Sequence, residues 1–380
     1  MRTIVIWGAG RIGRGFVNGI FHAEGWRTVF VDIDKTLVER LNAAGKYTVY
    51  KAKHTGIETT VIDGGFTAIH TSETEKLEKL FEEDELLLDI AVHAPKLPEV
   101  ADMTAPLLKH RLLGCGKLMD IMMNVNMTSP DERYISLIKE RFTEAEFELF
   151  REKVGVTGIA AACISPMASE EKLKKDPLTL INNGYPEQAI GRALLKCTPP
   201  ILKGLRLCSD VHAEESRKLY TLNMAHAMSC YLGVKRGYQT VMDVVKDDEL
   251  FSLVCTALSE AQTGIDAAFD FAKEENDIWV GRVKELLLNP YINDDLPRLG
   301  ADTRRKLSHT DRLCMPALLC LKAGRQPVSI APAIRAGFDF EHDDEGTIAV
   351  RNLVKAQGIE AAVRQVSALS ENDALYRLIV

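Results

Sequence analysis

Six consecutive residues constrain this chain more than any others. Gly8-Ala9-Gly10-Arg11-Ile12-Gly13 follow directly on the apolar run Ile4-Val5-Ile6. A run with no polar alternation reads as a strand buried on both faces, and Ile12, Phe16, Val17 and Ile20 then recur at helical spacing. Strand, glycine turn and helix in that order form the context that gives GxGxxG its meaning. Gly8 allows the tight turn, Gly10 lets the backbone approach a pyrophosphate, and Gly13 lets helix and strand pack closely. The helix start offers N–H groups and a positive dipole end, and Arg11 or Arg14 is expected to add charge there. Asp32 stands about 20 residues on, ending the strand Val29-Phe30-Val31, where a carboxylate accepts from the adenosine ribose hydroxyls. Its charge repels a 2′-phosphate, so NAD is expected rather than NADP. The competing reading is a purely structural turn, with Asp32 capping the next helix.

The alternation continues. Leu37, Val38 and Leu41 mark a helix that Gly45 stops, while residues 47–62 are rich in Thr, Tyr, Val and Ile and read as a hairpin. Strands are predicted at 86–92 and 118–123, with a helix near 99–113 between them. Ser129-Pro130-Asp131-Glu132 has capping-box spacing and Pro at the first helical position, so a helix begins there. Past about residue 205 strand signals thin out. The stretches 213–233, 248–274, 309–322 and 348–379 carry apolar residues three and four apart, and the acidic stretch 339–345 reads as a solvated turn and helix front. The expected architecture is an α/β Rossmann domain with a doubly wound, mostly parallel sheet over 1–205. An all-α C-terminal domain over 206–380 follows. A length of 380 residues suits two domains.

Composition narrows the function classes. The net charge is −7 and no long basic run offsets it, so a nucleic-acid partner is not expected. The N-terminus lacks the look of a secretory leader, and no apolar stretch approaches the ~18 residues of a membrane span. Neither a membrane partner nor an extracellular location is expected; the eight cysteines, scattered with no CxxC pair, read as reduced thiols of a cytoplasmic protein. None of the nine histidines sits in a ligand-spaced cluster with Cys or carboxylates.

Chemistry is sought in the helical half. Within 214–233, Lys218, Asn223 and His226 carry polar groups amid apolar neighbours. At about 100° per residue, Asn223 falls about 140° and His226 about 80° from Lys218, so the three are expected to share one face. Oxidising an alcohol requires a base for the hydroxyl proton and donors for the developing alkoxide, which Lys, Asn and His on one helix can supply. A solvated Lys beside a packing Asn and His is the plainer alternative.

The segments 8–16 (GAGRIGRGF), 217–226 (RKLYTLNMAH) and 305–313 (RKLSHTDRL) together resemble the mannitol-1-phosphate 5-dehydrogenase branch of the polyol-specific long-chain dehydrogenases, over essentially the whole chain. That resemblance implies an NAD-dependent, metal-independent secondary-alcohol dehydrogenase acting on a small polyol or polyol phosphate, in a branch that is often monomeric. It makes Lys218 the general base, which burial and cations such as Lys306 and Arg298 are expected to shift down. Asn223 and Asn126 hold the alkoxide oxygen, and His226 orients substrate hydroxyls. Arg298 and Lys306 line the polyol site, and His93 stands in the loop beside the cofactor. Arg305 and Arg312, with Arg304 and Lys306, form a basic cluster suited to a phosphomonoester. The alternative there is a solvated helix start, paired locally by Asp302 and Asp311. The chain departs from the family where Ala162 and Cys163 replace an Asp-Arg pair. An unphosphorylated polyol or hexuronate, or a non-catalytic NAD-binding sensor, therefore stays open.

Overall fold

The computed structural model describes residues 2–292 and 294–380. The chain divides into two compact units, Met1–Glu215 and Ser216–Val380. In the first unit the strands are β1 (Thr3–Trp7), β2 (Arg27–Asp32), β3 (Lys46–Lys53), β4 (Gly56–Asp63), β5 (Phe66–His70) and β6 (Leu86–Ile90). They continue as β7 (Met119–Met123), β8 (Val154–Ala160), β9 (Leu180–Asn182), β10 (Gln188–Gly191) and β11 (Leu205–Cys208). Eight of them make one sheet in the order β11-β10-β8-β7-β6-β1-β2-β5, and β4-β3-β9 make a smaller one. The large sheet is parallel from β8 to β5, and β10 turns antiparallel to β8.

All of β1 is buried because both faces are covered. Ile4, Ile6, Phe30, Leu87 and Met122 pack on one side, and Val5, Trp7, Val31, Leu88 and Ile121 on the other. The predicted strands at 86–92 and 118–123 are β6 and β7, the 47–62 hairpin is β3–β4, and Gly45 ends its helix in the left-handed region at φ 62°. Two expectations need correction. The helix Pro130–Lys139 starts as predicted, but Ser129 makes no capping bond, since it sits at φ 45° rather than in the extended region a cap requires. The sequence reading also missed β5, the helix Thr74–Phe81, the crossover helix Glu144–Lys153 and the strand β8 that follows it, along with the short strands β9 to β11.

In the second unit the described residues form helices, with one isolated bridge between Thr240 and Asp295. Met224–Lys235 is buried nearly all round, which its Met, Ala, Cys and Tyr residues allow. The helices Asp248–Ala268, Leu296–Gly300 and Ile330–Phe338 pack against it. The stretch 248–274 is one helix only to Ala268, and 309–322 is helical only over Cys314–Lys322. Asp344, in the acidic stretch, caps Glu345–Ser367 by accepting from the Thr347 N–H at 3.0 Å.

Candidate functional site

The glycine turn behaves as its spacing predicts. Gly8 has φ 105°, and a Cβ there would lie 2.4 Å from the Ala91 carbonyl oxygen on the neighbouring strand end. A Cβ on Gly13 would lie 2.2 Å from the Gly8 oxygen, so helix and turn touch backbone to backbone. Gly10 faces open space, where a ligand's phosphates can approach the main chain. Asp32 accepts from the Ala9 N–H at 2.7 Å and from the Asp34 N–H at 2.9 Å. Its carboxylate thus fixes the turn while staying partly exposed, with acceptor capacity to spare. Because β1, β2, β6 and β7 run parallel, their ends carry Gly8–Gly13, Asp32, His93 and Asn126 to one edge of the sheet. His93 and Asn126 are both exposed there. These residues fit a dinucleotide.

Arg14 does not join them. It is buried, donating to the Ala9 oxygen at 2.6 Å and the Leu178 oxygen at 3.0 Å, with its guanidinium 5.6 Å from the Tyr47 ring centre. Its charge braces the turn from behind instead of facing a phosphate.

A polar group the sequence reading missed lies deeper in the same sheet. Asp89, fully buried on β6, accepts from the Asn124 side chain at 2.7 Å. Its other oxygen and the Gln188 amide nitrogen have no partner among the described residues. Burial pushes the Asp89 carboxyl up to about 8, against the Asn124 hydrogen bond. Read as part of a buried strand, this aspartate gave no sequence signal.

In the helical unit Lys218 ends the helix Val211–Lys218, and Asn223 ends a π-helical turn, Leu219–Asn223. His226 follows in the first turn of Met224–Lys235. The angles expected from α-helical geometry therefore do not hold. A π-turn advances by only about 80° per residue, which brings residues five apart to within about 50° of each other. Lys218 and Asn223 are aligned more closely than the sequence suggested.

Around His226 the structure gathers Asp294, Arg298, Lys306 and Arg312. Burial pushes the imidazole down to about 4; Asp294 opposes this, and the three cations add to it. The ring is a neutral hydrogen-bonding group at physiological pH. Arg298 donates to Asp294 at 2.5 Å. Lys306 is buried, donates to the Leu299 oxygen at 2.5 Å, and is pushed down to about 7 by burial and then by Arg312 and Arg305. Arg312 is also buried and donates to Asp311 at 2.7 Å, while the exposed Arg305 reaches Asp302 at 2.5 Å and Asp311 at 3.2 Å. The local pairing weighed from the sequence is thus present, yet among the described residues Lys306 stands between cations with no carboxylate bonded to it.

The two family models for this fold match nearly end to end: the mannitol dehydrogenase Rossmann domain over residues 2–203 and the mannitol dehydrogenase C-terminal domain over 210–378. The chain belongs to the mannitol dehydrogenase family. A mannitol-1-phosphate 5-dehydrogenase of Bacillus subtilis strain 168 is 30% identical over 377 residues, covering 98% of this chain and 97% of that protein. The family fold is seen in two solved structures. A D-sorbitol dehydrogenase in substrate-free form superposes with TM-score 0.81 at 19% identity, covering 99% of this chain and 91% of that one. The Pseudomonas fluorescens mannitol 2-dehydrogenase, solved as a ternary complex with NAD and D-mannitol, gives TM-score 0.76 at 15% identity and covers 100% and 90%.

Proposed function

We propose that the chain is an NAD-dependent secondary-alcohol dehydrogenase interconverting a sugar-alcohol phosphate and a ketose phosphate, with mannitol 1-phosphate and fructose 6-phosphate the leading pair. The observation that carries this reading is the set of cations around His226, with Lys306 and Arg312 buried among them, beside the Lys218–Asn223 turn. The full-length relative named for mannitol 1-phosphate supports it. When bound, NAD supplies the hydride acceptor, and Gly10, the helix start and Asp32 are the groups that hold it. Lys218 Nζ takes the proton from the substrate hydroxyl. The amides of Asn223 and Asn126 donate to the oxygen as it gains negative charge. Neutral His226 orients the neighbouring hydroxyls, and Arg298 lines the polyol site. Lys306, Arg305 and Arg312 receive the phosphate; Asp311 holds Arg312 in place through its Nε and leaves its terminal nitrogens for the ligand.

The test is loss of NADH absorbance with fructose 6-phosphate, with fructose run in parallel. Turnover with the ester alone supports the reading, and Lys218→Ala should lower it at least a thousandfold (about 4 kcal/mol of barrier). No turnover with either sugar, in protein that binds NADH, rejects the phosphate-ester assignment and leaves a hexuronate or a sensor role.

A further inference from the structure

The π-turn Leu219–Asn223 departs from the α geometry on either side of it, and such single turns are an uncommon local geometry. Within it the Thr221 hydroxyl donates to the Arg217 oxygen at 2.6 Å. Thr221 is fully buried, and its oxygen in turn accepts the indole N–H of Trp279 at 2.8 Å. Trp279 comes from a separate helix, Lys273–Leu287, and is itself buried. At the close of the turn the Met224 N–H reaches the Leu219 oxygen, five residues back.

The surroundings fix Trp279 in turn. The Arg217 guanidinium lies 4.1 Å from the Phe271 ring centre and 5.1 Å from that of Trp279. It also donates to Glu275 at 2.8 Å and Asn276 at 3.0 Å. One hydroxyl therefore joins the carbonyl before the turn to a rigid indole outside it. A threonine bonding back to the fourth residue before it is common in helices. Here the same oxygen is tied to a second helix inside the π-turn itself.

We infer that Thr221 and Trp279 are positioning residues that hold the π-turn and so set Asn223 in line with Lys218. This rests on the reading of Lys218 and Asn223 as the proton acceptor and alkoxide donor. Neither Thr221 nor Trp279 transfers a proton; each acts through the backbone between the two.

The experiment uses the full chain with NADH and a turned-over ketose ester. Thr221→Val keeps the shape and removes the hydroxyl; Trp279→Phe keeps a ring and removes the N–H; Thr221→Ser keeps the hydroxyl. Thr221→Val and Trp279→Phe are each expected to lower kcat about 10- to 100-fold, since small misplacements of reacting groups cost that much. The Kd for NADH should stay unchanged, and the pH-rate limb due to Lys218 should be displaced. Thr221→Ser should recover to within about threefold of wild type, and the double variant should be no worse than Thr221→Val, as expected for one shared contact. Wild-type kcat and pH profile in Trp279→Phe and in any folded Thr221→Val would overturn the inference, whatever their melting temperatures. If Lys218→Ala keeps its turnover, the parent reading fails instead; loss in Lys218→Ala with none in the other two rejects the positioning role alone.

Discussion

Lys306 shows how far a residue can be moved from its ordinary chemistry by its neighbours. An exposed lysine is charged up to pH 10, but this one is buried, flanked by Arg312 and Arg305, and pushed down to about 7. If it binds the phosphate, its charge is lost just above neutrality, and affinity for the ester falls with it. The KM for fructose 6-phosphate is expected to rise between pH 6.5 and about 8.5. Lys306→Arg keeps its charge throughout that range, so its KM should stay flat while kcat changes less. A variant profile that rises in parallel with wild type would remove Lys306 from the phosphate site. Arg14 teaches the converse. In the sequence it looks like a phosphate ligand beside the glycine turn, but its bonds to the Ala9 and Leu178 oxygens and its packing on Tyr47 turn it inward. Contacts with residues distant in the chain help turn Arg14 away from the ligand side, and no local pattern records them.

At the scale of elements, legibility follows length and burial. The segments β1, β2, β6 and β7 were readable because a strand covered on both faces is mostly a continuous apolar run. The three- and four-residue strands β9, β10 and β11 were not, because they are held by pairing with neighbours rather than by a pattern of their own. The π-turn was invisible for a different reason: a fixed period of 3.6 was assumed, and its cause lies in Trp279 on another helix. The buried acid on β6 makes a prediction at this scale. An acid whose folded pKa is raised contributes fully below its unfolded value near 4, and that stability is lost as pH climbs toward the folded value, here about 8. The protein should therefore become less stable from pH 5 to 8. Asp89→Asn, which can keep the Asn124 bond, should flatten that decline and gain on the order of 2 kcal/mol at pH 7.5. Urea unfolding at several pH values reads both effects, and an unchanged slope in the variant would show that Asp89 ionises normally.

For the whole molecule, the place where one unit gives way to the next decides what each piece can do alone. The helix Val211–Lys218 begins in the first unit, and its opening residues are seated on that unit's sheet. Val211 is buried beside Gly191, where a Cβ would come within 3.2 Å of it. His212 donates to the buried Asp131 at 3.0 Å, and the Glu215 carboxylate fills the space that Gly158 leaves by lacking a side chain. Composition alone set the boundary near 205, where strand signals thin, because a helix reads the same whichever unit it packs on. All the residues proposed to hold NAD precede that point, so a fragment of residues 1–210 retains the binding groups and β11 but exposes the seat of this helix. A fragment of residues 1–215 covers it. The longer fragment is expected to melt about 2–4 °C or more above the shorter, from ~1 kcal/mol or more of apolar burial and the His212–Asp131 pair. Both should quench or shift NADH fluorescence to the same extent per folded molecule. Equal melting temperatures would mean that residues 211–215 add nothing to the first unit. Binding confined to the longer fragment would instead make the seat of this helix part of what keeps the glycine turn in its binding shape.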